Sequence, residues 1–240
     1  MASLPIEFDA GTRCGYTPAS AYTLLGQILV EIDPSGRRFR EIAKEELFQP
    51  LGMKDTSFRT DRSNTRLIPV SHTKKEAGPT APMIQRMLND GFSGEIEIPA
   101  GNAYGTVHDA FQSEETMRRR RENGYRSLVQ VLVRLPAKNH TSDMLNGAWD
   151  KEVETRGWGN FPARFTLLGG YIRSHGHHLT GLGYTAAPSA ICGVGGCSTM
   201  WMVDPERELT LVFISAGFID RLPHMKRLQT LSDLVLAACK

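Results

Sequence analysis

Gly193-Val194-Gly195-Gly196-Cys197-Ser198-Thr199-Met200-Trp201-Met202-Val203-Asp204-Pro205-Glu206-Arg207-Glu208-Leu209-Thr210-Leu211-Val212-Phe213-Ile214-Ser215 is the stretch that decides the architecture of this 240-residue chain. A corner of small residues leads into a run rich in Met, Trp and Val. The polar segment Asp204 to Glu208 separates that run from a second, β-favouring one. Asp-Pro sets a turn, and both flanking runs suit a pleated surface, so the stretch predicts a β-hairpin over 199–214. Its second strand is almost continuously apolar, which predicts burial on both faces. The glycines ahead of the first strand let a ligand or another segment approach the backbone closely. This corner is the edge of a candidate site.

Downstream, Leu222, Met225, Leu228, Leu231 and Val235 recur at helical spacing and predict a helix over about 221–238 with that stripe inward. Upstream, Phe165 to Ile172 reads as a strand. Near the start, Leu24, Leu25, Ile28, Leu29 and Ile32 form one apolar stripe of a helix beginning at about Pro18. Phe39, Ile42, Ala43 and Leu47 do the same for a helix at about 37–48, which Pro50-Leu51-Gly52 stops. Both helices are expected to pack on the sheet. Residues 54–80 read as an extended surface loop, followed by a short helix at 81–90 and a glycine-rich bend from Pro99 to Gly105. A helix from about Thr106 carries Glu114, Glu115 and Arg118 to Arg121, spaced to pair along an exposed face. Leu128 to Leu135 continues as an apolar helical segment, and 136–160 is irregular. The order predicts an α+β fold, an antiparallel sheet flanked by helices. One domain spans 1–240, with a polar, partly helical region at about 54–160.

Composition narrows the function. With 40% hydrophobic residues the chain can bury one sizeable core. A formal charge of +2 speaks against a nucleic-acid or membrane-surface partner. No run approaches the ~20 apolar residues of a membrane span, and the first residues lack a signal-peptide pattern, so a soluble, cytoplasmic protein is expected. Cys14, Cys192, Cys197 and Cys239 show no zinc spacing and read as reduced, partly buried thiols, with a Cys192–Cys197 bridge as the alternative.

Four segments together carry a family resemblance: Gly11-Thr12-Arg13-Cys14-Gly15-Tyr16-Thr17-Pro18-Ala19, Leu24-Leu25-Gly26, Phe48-Gln49-Pro50-Leu51-Gly52-Met53-Lys54-Asp55-Thr56-Ser57-Phe58, and Ser198 to Glu206. In this order the chain resembles the serine β-lactamase-like hydrolases, the group of class C β-lactamases, D-Ala-D-Ala peptidases, related esterases and fungal acyltransferases. The resemblance runs from about Leu4 onward. It implies a β-lactamase/transpeptidase-like fold and acyl transfer through three parts. A Ser-x-x-Lys at a helix start supplies the nucleophile. A loop Tyr relays the proton, because a neutral serine hydroxyl attacks poorly until a base takes its proton. A Lys-Thr-Gly or His-x-Gly strand positions the substrate.

Tyr16 matches the second part, although Tyr16-Thr17-Pro18 lacks the usual polar third residue, and a partly buried loop aromatic is the rival reading. Gly193-Val194-Gly195 matches the third part without a side-chain donor. Backbone around Gly193, Gly195, Gly196 and Ser198 would then line the pocket and serve an oxyanion, with glycines kept for packing as the rival reading. The first part has no counterpart ahead of Tyr16. The formal match, Ser71-His72-Thr73-Lys74, follows Tyr16 and sits in no helical pattern. The resemblance therefore implies an N-terminally incomplete scaffold with weak or no activity. A pocket-bearing binding or regulatory module and a truncated product of an active hydrolase are the alternatives. The expected partner is a small-molecule ester or amide, with self-association through the unfilled groove, and no cofactor or metal. Ser174-His175-Gly176-His177-His178 is read as a histidine-rich strand end or turn in preference to a zinc site. His108 and Asp109 are read as capping or packing residues, while His140 and His224 have no visible context.

Overall fold

The computed structural model describes residues 5–17, 19–58, 60–61, 63–72, 81–91, 97–119, 139–142, 144–147, 154–155, 157, 162–166, 170–219 and 221–239. The hairpin forms where its sequence places it. Strand β6 (Thr199–Asp204) and strand β7 (Leu209–Phe213) pair antiparallel in a four-stranded sheet of order β4-β5-β6-β7, with β4 at Tyr171–Ile172 and β5 at Ile191–Gly195. Asp204 makes the turn. Fully buried, it accepts the backbone N–H groups of Glu206 and Arg207 and the Arg207 guanidinium (3.0 Å). It also accepts the N–H of Ala187 at 3.0 Å, anchoring the loop that leads into β5.

Alternation along the strands gives the sheet two faces. Register places Cys192, Met202 and Leu211 in one row and Val194, Met200 and Phe213 in the next. The C-terminal helix α5 (Arg221–Ala238) covers this face, with Leu228 and Leu236 in one dry cluster with Cys192, Met200 and Met202. The buried stripe of α5 runs Leu222, Met225, Leu228, Ser232, Leu236, while Leu231 and Val235 lie half-buried at its flank. Ser232 stays polar because its Oγ accepts the N–H of Gly183 (3.0 Å), which docks the 178–187 loop onto the helix.

The opposite face carries Ile191, Val203 and Thr210 in one row and Gly193, Trp201 and Val212 in another. Helix α4 (Val107–Arg119) lies on it, and Met117 joins the Ile172–Ile191–Val203 cluster. The Glu–Arg pairing expected on an exposed face is here turned to the sheet. Glu115 takes two bonds from Arg118 (2.7 and 2.6 Å), one from Arg119, and one from Thr210 Oγ1 of β7 at 2.7 Å. Arg118 holds the Glu115 carboxyl down at about 2. Arg120, Arg121 and the Leu128–Leu135 segment lie outside the described residues.

Three further expectations change. Every residue of β7 is half-buried rather than buried on both faces, because β7 ends the sheet. The expected 165–172 strand is not one extended run: Phe165 bridges antiparallel to Tyr171, and Thr166 N–H donates to the Gly170 carbonyl, while 167–169 lie outside the described residues. Third, helix α1 (Ser20–Ile32) buries Gly26 against Pro99 and Phe39 and packs on α2 (Phe39–Ala43), leaving Leu24, Leu25, Ile28 and Ile32 exposed. A glycine decides the contact, since the missing side chain admits Pro99 to the helix backbone. Pro18 is outside the described residues.

Other parts follow the pattern. After α2 the helix widens to a π-turn, Lys44–Phe48, which brings Phe48 inward to stack on Phe58 at 5.9 Å. Helix α3 (Ala81–Arg86) continues as a π-turn, Met87–Gly91. Two short parallel pairs complete the topology: β1 (Arg13–Cys14) with β3 (Leu145–Asn146), and β2 (Ser71–His72) with β8 (Gly217–Phe218). Asp109, buried at the start of α4, accepts the N–H of Asp55 and the hydroxyl of Thr56, both at 2.8 Å. Among the described residues no helix is long and apolar enough to cross a membrane. The mixed helix-and-antiparallel-sheet class is the one the sequence predicts.

Replacing Leu228, fully buried between α5 and the sheet, by Ala should cost about 2–5 kcal/mol. Leu234→Ala on the outer side of α5 should stay within about 0.5 kcal/mol. Urea midpoints of the two variants check this contrast.

Candidate active site

The small-residue corner joins β5 to β6, and its parts face different ways. Gly193 sits directly opposite Trp201, and Gly195 opposite Thr199. A Cβ at Gly193 would overlap the Trp201 indole, and one at Gly195 would meet Thr199 Oγ1. Both glycines therefore let side chains of β6 lie across β5 on the α4 side. Gly196 is exposed, with nothing nearer to a built Cβ than Phe218 at 3.7 Å. Val194, at the donor position of the motif, packs into the cluster under α5. It is turned away from the glycine face.

Ser198 is fully buried and adopts a left-handed backbone, φ 63°. Its N–H donates to the Gly195 carbonyl at 3.1 Å, closing the turn, so that donor is already committed. The Ser198 carbonyl accepts Arg227 Nη2 at 3.0 Å, and Ser215 Oγ donates between the carbonyls of Cys197 and Ser198, 3.1 Å each. The Arg227 guanidinium also stacks on Phe213, 5.2 Å from the ring centre. The corner is held from beneath by α5. Arg227 and Trp201 are the residues that sequence reasoning missed. A signal for Trp201 was present, a large ring in register with a strand glycine; none marked Arg227.

Tyr16 follows β1, with 61% of its surface exposed. It interacts with Tyr22 on α1, whose phenol is raised by burial and then by Tyr16. Among the described residues no hydrogen bond or ring contact joins Tyr16 to the β5–β6 corner. Ser71 and His72 lie in β2, with Ser71 Oγ facing the Ala216 carbonyl at 3.4 Å, so Ser71 does not stand at a helix start; Lys74 lies outside the described residues.

The remaining candidates resolve individually. His178 turns inward beside Thr180 Oγ1 (3.0 Å) while His175 and His177 are exposed, so the three imidazoles share no face. Among the described residues no group of His, Cys, Asp and Glu is placed to hold a metal. All four cysteines are free, and burial pushes the Cys192 thiol up to about 12. Burial lowers His178 and His224 to about 4, reinforced by Arg173 and Arg227 respectively; the Gly195 backbone weakly opposes the shift at His224. Burial raises Glu114 on α4 to about 8, with its Oε2 unpartnered among the described residues.

The Beta-lactamase family model matches residues 1–232. A β-lactamase from Mycobacterium bovis is similar in structure, with 20% identity and a TM-score of 0.59 over 95% of this chain and 65% of that one. A family VIII carboxylesterase superposes with a TM-score of 0.67 at 14% identity, over 95% and 60% of the two chains. EstCE1, described as a hydrolase with promiscuous acyltransferase activity, gives 0.60 at 17% identity, over 96% and 59%. The chain thus spans 59 to 65% of the length of these structures. A comparison with curated proteins returned no match.

Gly193→Ala should cost about 1–3 kcal/mol, because the indole above it is rigid, whereas Gly196→Ala should be nearly neutral. Chemical denaturation of both variants tests this. The buried titratable groups predict a stability maximum near mildly acidic pH. His178 and His224 stay neutral when folded, so their contribution is full above about 6.5 and is lost as pH falls toward 4. Glu114 keeps its proton when folded, so its contribution is lost as pH rises from 4.5 through about 8. Melting curves across pH should show Glu114→Gln removing the decline between about pH 6.5 and 8; an unchanged slope in that window would refute this assignment.

Proposed function

The chain belongs to the Beta-lactamase family, and from that membership we propose that it carries part of an acyl-transfer site for a small-molecule ester or amide. Tyr16 is the proton relay of that site. Its phenolic oxygen takes the proton of an attacking hydroxyl only as its own proton passes to a neighbouring base, and the proton is then returned to the leaving group, the step a neutral nucleophile cannot make unaided. Gly193, Gly195 and Gly196 form the strand wall beside the acyl group, and Ser198 shapes the turn that carries them. The observation supporting this reading is the exposure of Tyr16: a phenol retained for packing would be covered, and this one faces solvent beside a second tyrosine.

These 240 residues alone are proposed to turn substrate over weakly or not at all. Their one formal Ser-x-x-Lys begins with Ser71 and His72 in a β-strand, a backbone whose period of two differs from the helical turn on which the motif is built. A second reading, a pocket-bearing binding or regulatory module, is favoured by a specific observation. Val194, where the motif calls for a side-chain donor, points into the core, while the backbone at Gly196 stays exposed, so the strand keeps a surface to bind on without the donor that chemistry needs. Four free thiols support a reducing, cytoplasmic setting for either reading.

The expected outcome with p-nitrophenyl esters and nitrocefin is turnover at the buffer background, together with saturable binding of a hydrolysis-resistant ester analogue that Tyr16→Phe weakens about tenfold. Tyr16-dependent turnover would show a nucleophile that this reading lacks. Absence of binding at millimolar analogue would remove the site.

A further inference from the structure

Helix α1 has two apolar sides, and the fold uses one. Gly26 is buried, with Thr23, Leu29 and Val30 half-buried beside it. On the reverse side Leu24, Leu25, Ile28 and Ile32 are 52, 55, 45 and 68% exposed; Tyr22, on the flank between the two sides, is 43% exposed, and Tyr16, ahead of the first turn, 61%. Ala21, Leu25, Ile28 and Ile32 follow one another at helical intervals of four, three and four, a continuous seam of the kind that pairs helices. Each large side chain in this patch exposes on the order of 100 Å², giving roughly 600 Å² in all, at or above the largest patch a typical monomer shows. It approaches the ~800 Å² that each partner contributes to a stable interface.

The chemistry of the helix narrows the occupant. Its one charged residue, Glu31, is bonded to Gln27 at 2.8 Å, and it has no Lys or Arg. A membrane surface or nucleic acid would call for basic residues along the flank. An apolar helix would not. We propose that a second copy of this chain covers the face, α1 antiparallel to its counterpart about a two-fold axis near Ile28. In that arrangement Leu25 of each chain meets Ile32 of the other, Ile28 lies beside its own copy, and no charge is buried. Both seams are satisfied by one self-complementary contact. Tyr16 stands at its rim, so the copy would wall the phenol. The inference rests on the exposure of α1 and holds whether or not Tyr16 acts in acyl transfer.

Sedimentation equilibrium of the full chain at about 50 µM tests it, since a dimer is read by mass action. The expected result is a dimer for the parent chain, a monomer for Ile28→Glu with an unchanged circular dichroism spectrum, and a dimer for Leu234→Glu on exposed α5 surface. A monomeric parent chain, open-ended assembly, a different polypeptide bound one-to-one, persistence of the dimer in Ile28→Glu, or its loss in Leu234→Glu would each overturn the proposal. Should Ile28→Glu fail to fold, Ile28→Cys replaces it: mild oxidation should give a disulfide-linked dimer beyond the level of the parent chain. Failure to cross-link would equally overturn it.

Discussion

The rest of the structure depends on an aromatic ring packed over a glycine. Trp201 projects from β6 across Gly193 of β5, and any side chain there would lift it. With the ring in place, the α4 side of the sheet has a hydrophobic wall joining Ile172, Ile191, Val203 and Met117. Without it, the Gly193 stretch of that face would be bare backbone. Aromatic rings bury large areas for few rotatable bonds, so one well-placed indole closes much of an interface that a twisted sheet leaves open. The same ring takes up the space over Gly193, which ties the packing of that face to one residue pair.

The two faces of the sheet are built differently. The α5 side is dry, with methionines and leucines filling an uneven gap, and its polar groups serve to dock the 178–187 loop. The α4 side is polar at its rim, where Glu115 joins Arg118, Arg119 and Thr210, and Glu114 is buried as a neutral acid. Arg227 reaches from α5 to the carbonyl of Ser198, so the β5–β6 corner is fixed by a guanidinium. Charge-assisted bonds of this kind hold a left-handed turn that serine would otherwise adopt at a cost.

Helix α1 shows how a correct periodicity leads to a wrong partner. Its apolar residues were visible as a stripe, and a stripe normally marks the buried face. The fold instead buries the glycine side, because Pro99 and Phe39 approach closest where no Cβ stands between them. Backbone proximity outweighs side-chain hydrophobicity at that contact, and the larger residues are left outward.

Sequence alone determined the hairpin, the Asp204 turn, the C-terminal helix, the short helix at 81–90 and the mixed antiparallel class, because each is written in local period or turn chemistry. It also marked Tyr16 and the glycine corner as candidates, since residue type and order are visible without coordinates. Tertiary structure decided the rest. Only the strand register shows that Val194 points to the core while Gly193 and Gly195 face α4, since a shift of one residue would exchange them. Only long-range contact reveals Arg227 beneath Ser198, 29 residues away. Which side of α1 is covered depended on Pro99, more than sixty residues downstream, and a distance of that kind leaves no trace in the spacing of neighbouring residues.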